Sequence, residues 1–146
     1  IINKTLKYDE SFTQYLCGNC DLCLEACPTD ALVDSFQLDS SKCISYVTIE
    51  KRGDFEKENS INLDNWIFGC DICQDICPWN IKFSVDTTED SFNDHFSLKS
   101  KNYEYWDNLT EEEYRKVFKN SAVKRAKFSG LKRNILQAKE QNNNDT

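Results

Sequence analysis

Seven of the eight cysteines lie in two short blocks, and the eighth, Cys43, stands alone between them. The first block covers residues 17–28, spaces its cysteines as C-x2-C-x2-C-x3-C and ends in Pro28. The second block covers residues 70–78, reads C-x2-C-x3-C and ends in Pro78. Cysteine pairs at C-x2-C spacing are typical of metal or redox sites. The chemistry of this chain is therefore expected at its cysteines.

The first block has the spacing with which bacterial ferredoxins bind two iron–sulfur clusters, the fourth cysteine ligating the other cluster. Each C-P dipeptide starts a turn that carries its cysteine away from the preceding loop. The second block lacks a third loop cysteine, so Cys43 is left to complete the set. We therefore predict two [4Fe-4S] clusters that transfer single electrons. Cluster 1 is assigned Cys17, Cys20, Cys23 and Cys77, and cluster 2 is assigned Cys27, Cys43, Cys70 and Cys73.

Two other uses of the cysteines remain open on this pattern. Disulfides are disfavoured, because C-x2-C pairs nested in short loops match no familiar disulfide framework. Two zinc sites with four cysteine ligands each are the other candidate. Zinc modules usually pair separate C-x2-C knuckles, however, and do not interlock two ligand sets through C-P dipeptides.

Length and composition indicate one small domain, or one domain with an appendage. The chain has 146 residues, of which 39% are hydrophobic, and a mean hydropathy of −0.67. Such a composition predicts a small apolar core. Cluster ligation must then organise the cysteine-rich part, and we expect the metal-free protein to fold poorly there.

The sequence also bears on compartment and completeness. No apolar stretch approaches the roughly 18 residues of a membrane helix, and no secretory signal precedes Cys17. With cysteines at metal-site spacing, this predicts a cytoplasmic monomer that makes no membrane contact. The sequence begins Ile1-Ile2-Asn3 and contains no Met. We expect it to be the C-terminal part of a longer protein.

Charge is distributed unevenly along the chain. Residues 1–114 carry 9 basic and 23 acidic side chains, a net charge of −14, whereas residues 115–146 carry 9 basic and 2 acidic, a net charge of +7. Eight of the basic residues lie between Arg115 and Arg133 with no acidic residue among them. A partner with phosphates would explain this stretch, and a solvated helix face would explain it equally well.

The predicted fold class is α+β. We expect a small ferredoxin-like domain with two [4Fe-4S] clusters, mostly helical and irregular, followed by a pair of C-terminal helices. The cluster domain is placed at residues 1–102 with a polar lead-in over residues 1–16, and the basic helical tail at residues 103–146.

Within the cluster domain, a brief strand is predicted over residues 36–38. A helix is predicted from Asp39 to about Arg52, which places Cys43 on a rigid element. A second helix is predicted over residues 63–68, leading into the second cysteine block.

The tail carries clearer signals. Thr110 and Glu113 have the spacing of a capping box at the start of a helix. Ser129-Gly130 is expected to break the apolar pattern and to separate two amphipathic helices.

Four stretches of the chain closely resemble the epoxyqueuosine reductase family. In the cysteine blocks they read C-G-x-C-x2-C-x3-C-P-T over residues 17–29 and W-I-F-G-C-D-x-C-Q-x2-C-P-W-N over residues 66–80. Between the blocks stands L-D-x3-C-I-S-Y-x-T-I-E over residues 38–50, and the tail contains S-A-V-K-R-x-K-x2-G-L-x-R-N over residues 121–134.

The resemblance implies a cobalamin-dependent oxidoreductase that removes the epoxide oxygen from epoxyqueuosine in tRNA, the last step of queuosine synthesis. It implies the same division of cysteine ligands, an external low-potential electron donor, and Ser45 near the cobalamin. In this family most of the cobalamin-binding fold and the acidic proton donor lie in an N-terminal domain. We therefore expect no catalytic residue in this chain and no turnover by this chain alone.

The resemblance also implies that the basic tail binds phosphates of the anticodon stem, with an affinity that weakens with salt. Arg52 is placed near the tRNA by the resemblance alone. The expected tRNA-contacting residues are Arg52, Lys124, Arg125, Lys127, Lys132 and Arg133.

Two alternative functions come from other classes of protein. One is a stand-alone two-cluster ferredoxin-type electron carrier, and the other is part of a reductive dehalogenase, which also joins a corrinoid to two clusters. Neither has a need for a basic tail that binds RNA, so tRNA binding discriminates between them and the reductase.

Overall fold

The computed structural model describes residues 3–11, 16–55, 61–92 and 96–144. The polar lead-in predicted over residues 1–16 lies partly outside these ranges. Short helices and one two-stranded antiparallel sheet make up the described part up to residue 102, and the remainder is helical. The chain thus has the α+β composition that the sequence indicated. The predicted boundary after residue 102 stays a prediction.

The two cysteine blocks fold in the same way. Helix α1 spans Leu22–Glu25 and helix α3 spans Ile72–Asp75, each one turn long, and the two helices pack against each other. Each is followed by a turn in which the last cysteine donates its N–H to a carbonyl three residues back, at 3.2 Å for Cys27 and 3.3 Å for Cys77. The proline that follows each cysteine cannot continue such a turn as a donor. Both blocks therefore end in the same turn, with the last cysteine just beyond the short helix.

A β-hairpin connects the first block to Cys43. Strand β1, Leu32–Asp34, pairs antiparallel with β2, Gln37–Leu38, and Leu32 lies opposite Leu38. The brief strand predicted over residues 36–38 is thus confirmed at residues 37 and 38. Phe36 instead takes a left-handed conformation, with φ at 61°, in the connecting turn.

The helix predicted from Asp39 to about Arg52 is divided. A 3₁₀ helix spans Ser40–Lys42, Cys43 is extended, and helix α2 spans Ile44–Ile49. The Asp39 side chain accepts the N–H of Ser41 at 3.0 Å. Such local side-chain bonds compete with a continuous helix, which explains the division. Cys43 still begins α2, because its carbonyl accepts the N–H of Val47 at 2.9 Å.

The helix predicted over residues 63–68 is absent from the described structure. Asp64 and Asn65 adopt positive φ values of 46° and 67°, so the chain turns there. Asx side chains tolerate this conformation better than most residues. Leu63 is fully buried, and its N–H donates to Gln141 Oε1 at 2.9 Å, so tertiary contacts hold the turn in place.

After the 3₁₀ helices Asp90–Phe92 and Leu98–Ser100, three α-helices and a further 3₁₀ helix make up the tail. Their order is α5 Tyr103–Asn108, α6 Glu111–Val117, the 3₁₀ helix Ala122–Ala126 and α7 Lys127–Asn144. The tail is therefore more than the expected pair of helices. The capping box is confirmed at its first half, because Thr110 Oγ1 accepts the N–H of Glu113 at 3.2 Å.

The break predicted at Ser129-Gly130 is wrong, since α7 runs through both residues. A Cβ on Gly130 would lie 3.8 Å from Ala126 Cβ, an ordinary contact. A glycine inside a helix costs only about 1 kcal/mol, and the packing of α7 outweighs this.

Among the residues that the structure describes, two apolar clusters form the core. One joins the tail helices through five buried residues, with Ile67 and Phe68 packed against it; the buried residues are Leu109, Tyr114, Phe118, Leu131 and Ile135. The other consists of Ile44, Val47 and Leu63. Since α7 packs against α2, the tail contributes to the support of the cysteine-rich part. Over the described residues, none of the helices has the length and apolar character that crossing a membrane requires.

Replacing Gly130 with Ala should stabilise the chain by about 0.5–1 kcal/mol, because Ala is the better helix former and the site accommodates a methyl group. Gly53→Ala is the matched control. Gly53 has a φ of +78°, which an L-residue adopts at a cost of about 1–2 kcal/mol. Anaerobic thermal unfolding followed by circular dichroism should raise the midpoint for the first variant and lower it for the second. A lower midpoint for Gly130→Ala would contradict the continuous helix.

Candidate metal centre

Four thiols from three separate segments line one cavity of about 390 Å³. Cys27 comes from the end of the first block, Cys43 from the start of α2, and Cys70 and Cys73 from the second block. These are the four cysteines that the sequence assigned to cluster 2. Ser45, the residue placed near a cobalamin by resemblance, lines the same cavity. Much of the remaining wall is apolar, formed by Ala31, Leu32, Leu38, Ile44 and Ile72.

The Cys27 thiolate is favoured by its local backbone. Cys27 Sγ accepts the N–H of Ala31 at 3.3 Å and lies 3.7 Å from the hydroxyl of Thr29. Burial alone would raise the pKa of Cys27, but hydrogen bonds from residues 29, 31 and 32 outweigh it and lower the pKa. The turn after the first block is therefore built to hold a sulfur in its anionic, metal-binding form.

On the other side of the cavity, the pKa values of Cys70 and Cys73 are raised. Burial is the main cause that raises the pKa of Cys70, and the nearby thiols of Cys73, Cys43 and Cys27 raise it further. Burial is also the largest cause of the raised pKa of Cys73, and Cys43 and Cys23 raise it further. All four side chains line the same cavity, so as thiolates they would repel one another. A cationic centre between them would offset that repulsion.

The cysteines assigned to cluster 1 are more open to solvent. Cys17 and Cys20 are exposed, whereas Cys23 and Cys77 are half-buried. Helix α4, Pro78–Phe83, begins directly after Cys77, and its Trp79 Nε1 donates to the carbonyl of Leu16 at 3.1 Å. This bond places the segment after Cys77 beside the residue before Cys17. The swapped contribution of Cys77 is thus compatible with the backbone.

The eight thiols are free, so the disulfide alternative finds no support. Within the ranges that the structure describes, no three His, Cys, Asp or Glu side chains lie close enough to hold one metal ion. Four thiolates on a single zinc would each lie about 2.3 Å from the same atom, which forces their sulfurs together. Ligands of a cubane attach to different irons and stand farther apart. Cubane clusters are held by sets of four cysteine thiolates, and the eight cysteines of this chain supply two such sets.

Sequence reasoning missed two buried polar residues beside this centre. Thr48 and Asn134 are both 0% exposed and hydrogen-bond the backbone around Cys43 and Cys70. Thr48 lies four residues after Ile44, on the apolar face of α2, and that helical spacing was the signal available. Asn134 carries the same kind of signal, because it lies three residues after Leu131 and four before Ala138 on the buried face of α7.

Arg133, expected to contact tRNA, makes several hydrogen bonds within the fold. Its guanidinium donates to the carbonyls of Val47 at 3.0 Å, Lys51 at 3.1 Å and Gly53 at 2.6 Å. It also lies 4.3 Å from the centre of the Phe55 ring. Burial is the main cause that lowers the pKa of Arg133. Arg133 thus binds one carbonyl in the last turn of α2, that of Val47, and two in the segment that follows the helix.

Arg125 and Arg52 are exposed but paired. Arg125 forms a forked ion pair with Glu50, with N–O distances of 2.8, 3.1 and 2.8 Å. That hydrogen bonding lowers the pKa of the Glu50 carboxyl. Arg52 donates to the carbonyls of Ile49 at 2.9 Å and Arg125 at 3.0 Å.

The remaining expected RNA contacts are three lysines. Lys124 and Lys127 are exposed, and Lys124 Nζ donates to the carbonyl of Lys119 at 3.3 Å. Lys132 is half-buried and donates to the carbonyl of Asp107, away from the others.

A small cavity of about 90 Å³ gathers part of the basic set at the start of α7. Its lining includes Lys51 as well as three of the predicted residues, Arg52, Lys127 and Arg133. Lys132 is not among the residues that line it.

Replacing Arg133 with Lys keeps the charge but should lower stability by about 1–3 kcal/mol, because one ammonium cannot span the three carbonyls. Lys124→Gln, an exposed change nearby, should stay within about 0.5 kcal/mol of the parent. The measurement is the thermal midpoint of anaerobically purified protein. If Arg133→Lys melted with the parent, the guanidinium fork would not be what holds α2 to α7.

Comparison with known proteins agrees with this geometry. The family described as a 4Fe-4S double cluster binding domain matches residues 16–80. An epoxyqueuosine reductase of Cellulophaga algicola is 47% identical over 135 residues, which cover 92% of this chain and 44% of the relative. One from Escherichia coli is 39% identical over 122 residues, which cover 84% of this chain and 32% of the relative.

Solved structures give the same result. A crystal structure of epoxyqueuosine reductase with a tRNA-Tyr epoxyqueuosine-modified tRNA stem loop is similar at a TM-score of 0.75 and 27% identity, covering 90% of this chain and 34% of that one. The enzyme from Bacillus subtilis is similar at a TM-score of 0.66 and 26% identity, covering 90% of this chain and 35% of that one. This chain thus spans less than half the length of its relatives, and over that span it belongs to the epoxyqueuosine reductase family.

Proposed function

We propose that this chain is the electron-transferring and tRNA-contacting part of a cobalamin-dependent reductase that converts epoxyqueuosine to queuosine in tRNA. The observation that carries the proposal is the convergence of four thiols from three segments on one cavity. The names of the relatives support the substrate, and the structure of one relative with a modified tRNA stem loop supports the partner.

The cysteines hold the proposed clusters in two sets. Cys27, Cys43, Cys70 and Cys73 would ligate cluster 2, and Cys17, Cys20, Cys23 and Cys77 would ligate cluster 1. When bound, a [4Fe-4S] cluster supplies one-electron transfer at low potential. The protein's part is to fix the sulfurs and to exclude water, and the apolar wall of the cavity supports this for cluster 2. The greater exposure of Cys17 and Cys20 suits cluster 1 to an external electron donor.

Ser45 is the residue we assign to a cobalamin. Its position in the wall of the thiol cavity, two residues after Cys43, supports a corrin bound on the cluster 2 side. Cobalamin supplies the reduction of the carbon–oxygen bond when bound. We assign no catalytic residue to this chain, since the acidic proton donor is expected in a region that the chain does not match.

The basic tail supplies the proposed RNA contact. Lys124 and Lys127 are exposed, and Lys127 shares a cavity with Arg52, Arg133 and one carboxylate, that of Asp54. Cations that are free of acidic partners bind phosphates without reading sequence. Arg125 and Lys132 are weaker candidates, because one is paired with Glu50 and the other donates to Asp107.

Replacing Cys43 with Ala should remove cluster 2 and leave cluster 1, so iron should fall from about eight to about four atoms per chain. Ser45→Ala is the control, since it changes the same cavity wall without removing a thiol, and it should keep full iron. Iron and acid-labile sulfide are measured on anaerobically reconstituted protein. Unchanged iron in Cys43→Ala would exclude this cysteine as a ligand.

Neutralising Lys124 and Lys127 together, as Lys124→Gln and Lys127→Gln, should reduce the salt dependence of tRNA binding by about two units of log–log slope. Lys4→Gln with Lys7→Gln removes the same charge from exposed positions at the other end of the chain and should leave the slope unchanged. Titrations of tRNA at several salt concentrations give both slopes. Equal slopes in the two double variants would place the RNA elsewhere, and a full-length protein that failed to bind tRNA at low salt would favour an electron carrier.

A further inference from the structure

One buried hydroxyl joins the backbones of two cluster 2 ligands that lie far apart in sequence. Thr48 Oγ1 donates to the carbonyl of Ile44 at 2.7 Å and accepts the N–H of Gly69 at 3.0 Å. Ile44 directly follows Cys43, and Gly69 directly precedes Cys70. The Thr48 side chain therefore holds the residue next to one thiol at a fixed distance from the residue next to the other.

Asn134 clamps the same two segments from the tail helix. Its side-chain amide donates to the carbonyl of Thr48 at 2.8 Å and to that of Ile67 at 2.9 Å. Its Oδ1 accepts two bonds from the Arg133 guanidinium, at 3.1 and 2.9 Å. The amide orientation is thus fixed, with its two donors aimed at the cluster 2 segments.

The network is complete as well as buried. Over the described residues, no buried side-chain nitrogen or oxygen lacks a hydrogen-bond partner. Fully paired polar networks in a low-dielectric interior favour one arrangement over its alternatives. Gly69 has a φ of +73°, a conformation that its hydrogen bond to Thr48 helps to hold and that a bulkier residue would resist.

We propose that Thr48 and Asn134 are positioning residues that set the separation of Cys43 and Cys70, and thereby the electronic properties of cluster 2. Neither side chain is among the residues that line the thiol cavity, so both act through the backbone that carries the ligands. The proposal rests on the proposed function, in which these cysteines bind a cluster. Ligand geometry and hydrogen bonding near the sulfurs tune cluster potentials, so the network bears on electron transfer as well as on folding.

The test compares two substitutions of one residue. Thr48→Val keeps the volume and removes the hydroxyl, whereas Thr48→Ser keeps the hydroxyl. Thr110→Val is the control, because it removes a hydroxyl that caps α6 and touches no cluster segment. Each is purified anaerobically, and reduced samples are examined by electron paramagnetic resonance and by redox titration. Cys43→Ala identifies which of the two signals belongs to cluster 2.

Thr48→Val should shift the midpoint potential and the resonance of cluster 2 alone, or lose that signal while keeping the signal of cluster 1. Thr48→Ser should restore the parent spectrum. Thr110→Val should lower the melting midpoint without changing either signal. A Thr48→Val protein that lost stability yet kept both parent potentials would overturn the proposal, because the hydroxyl would then be structural only.

Asn134→Asp provides a second, independent test should Thr48→Val fail to fold. The carboxylate is the same size and still accepts from Arg133, but it no longer donates to the carbonyls of Thr48 and Ile67. The midpoint potential and the resonance of cluster 2 should shift as they do in Thr48→Val. An unchanged signal would show that Asn134 does not position the cluster 2 ligands. If the parent contained no iron and sulfide, the proposed function itself would fail, and this inference with it. If Cys43→Ala lost a signal that both variants kept, only the inference would fail.

Discussion

Holding four cysteine side chains from three segments around one cavity is the constraint on which the rest of this structure depends. Burial raises the pKa of Cys70 and of Cys73, and the neighbouring thiols add to that effect. The apolar core beside this cavity is small, since the described cluster around α2 contains three buried residues. Hydrogen bonds from backbone and buried side chains therefore carry much of the positioning, and a cationic centre would supply the remainder.

The tail also helps to position the cysteines, so some of its basic residues have a structural role. Arg133 binds three carbonyls around the end of α2, and Gln141 brackets the turn before the second block by donating to Ile61 at 2.8 Å and accepting from Leu63 at 2.9 Å. Asn134 lies between these contacts on the same helix. Helix α7 therefore packs against the cysteine-rich part and stabilises it. The number of basic residues does not distinguish those that bond to the cysteine-rich part from those that face solvent.

Sequence reasoning succeeded where the signal is local. The cysteine spacing grouped four residues that line one cavity, the capping box predicted the start of α6, and the strand predicted over residues 36–38 was found as β2. It failed where a distant contact decides the backbone. Leu63 is held by Gln141 and the chain turns after it, whereas the local pattern suggested a helix.

Gly130 illustrates the opposite error, in which a local signal was given too much weight. A glycine beside a serine resembles a helix end, yet α7 continues because buried Leu131 and Ile135 hold both sides of that point in the core. Thr48 and Asn134 escaped notice for a related reason. A single sequence shows that a residue is polar, but only the packing shows whether its hydrogen bonds lie inside the protein.

Helix α2 connects the thiol cavity to the basic cavity. Its first residues line the thiol cavity with Cys43 and Ser45, and the residues just after its end, Lys51 and Arg52, line the basic cavity. Six residues of α-helix rise about 9 Å, so the two cavities lie at opposite ends of one short, stiff element. Under the proposed function, cluster 2 lies at one end of this helix and the basic cavity lies at the other. Thr48 and Arg133 hold the helix from two sides, so the fold fixes the distance between the two cavities.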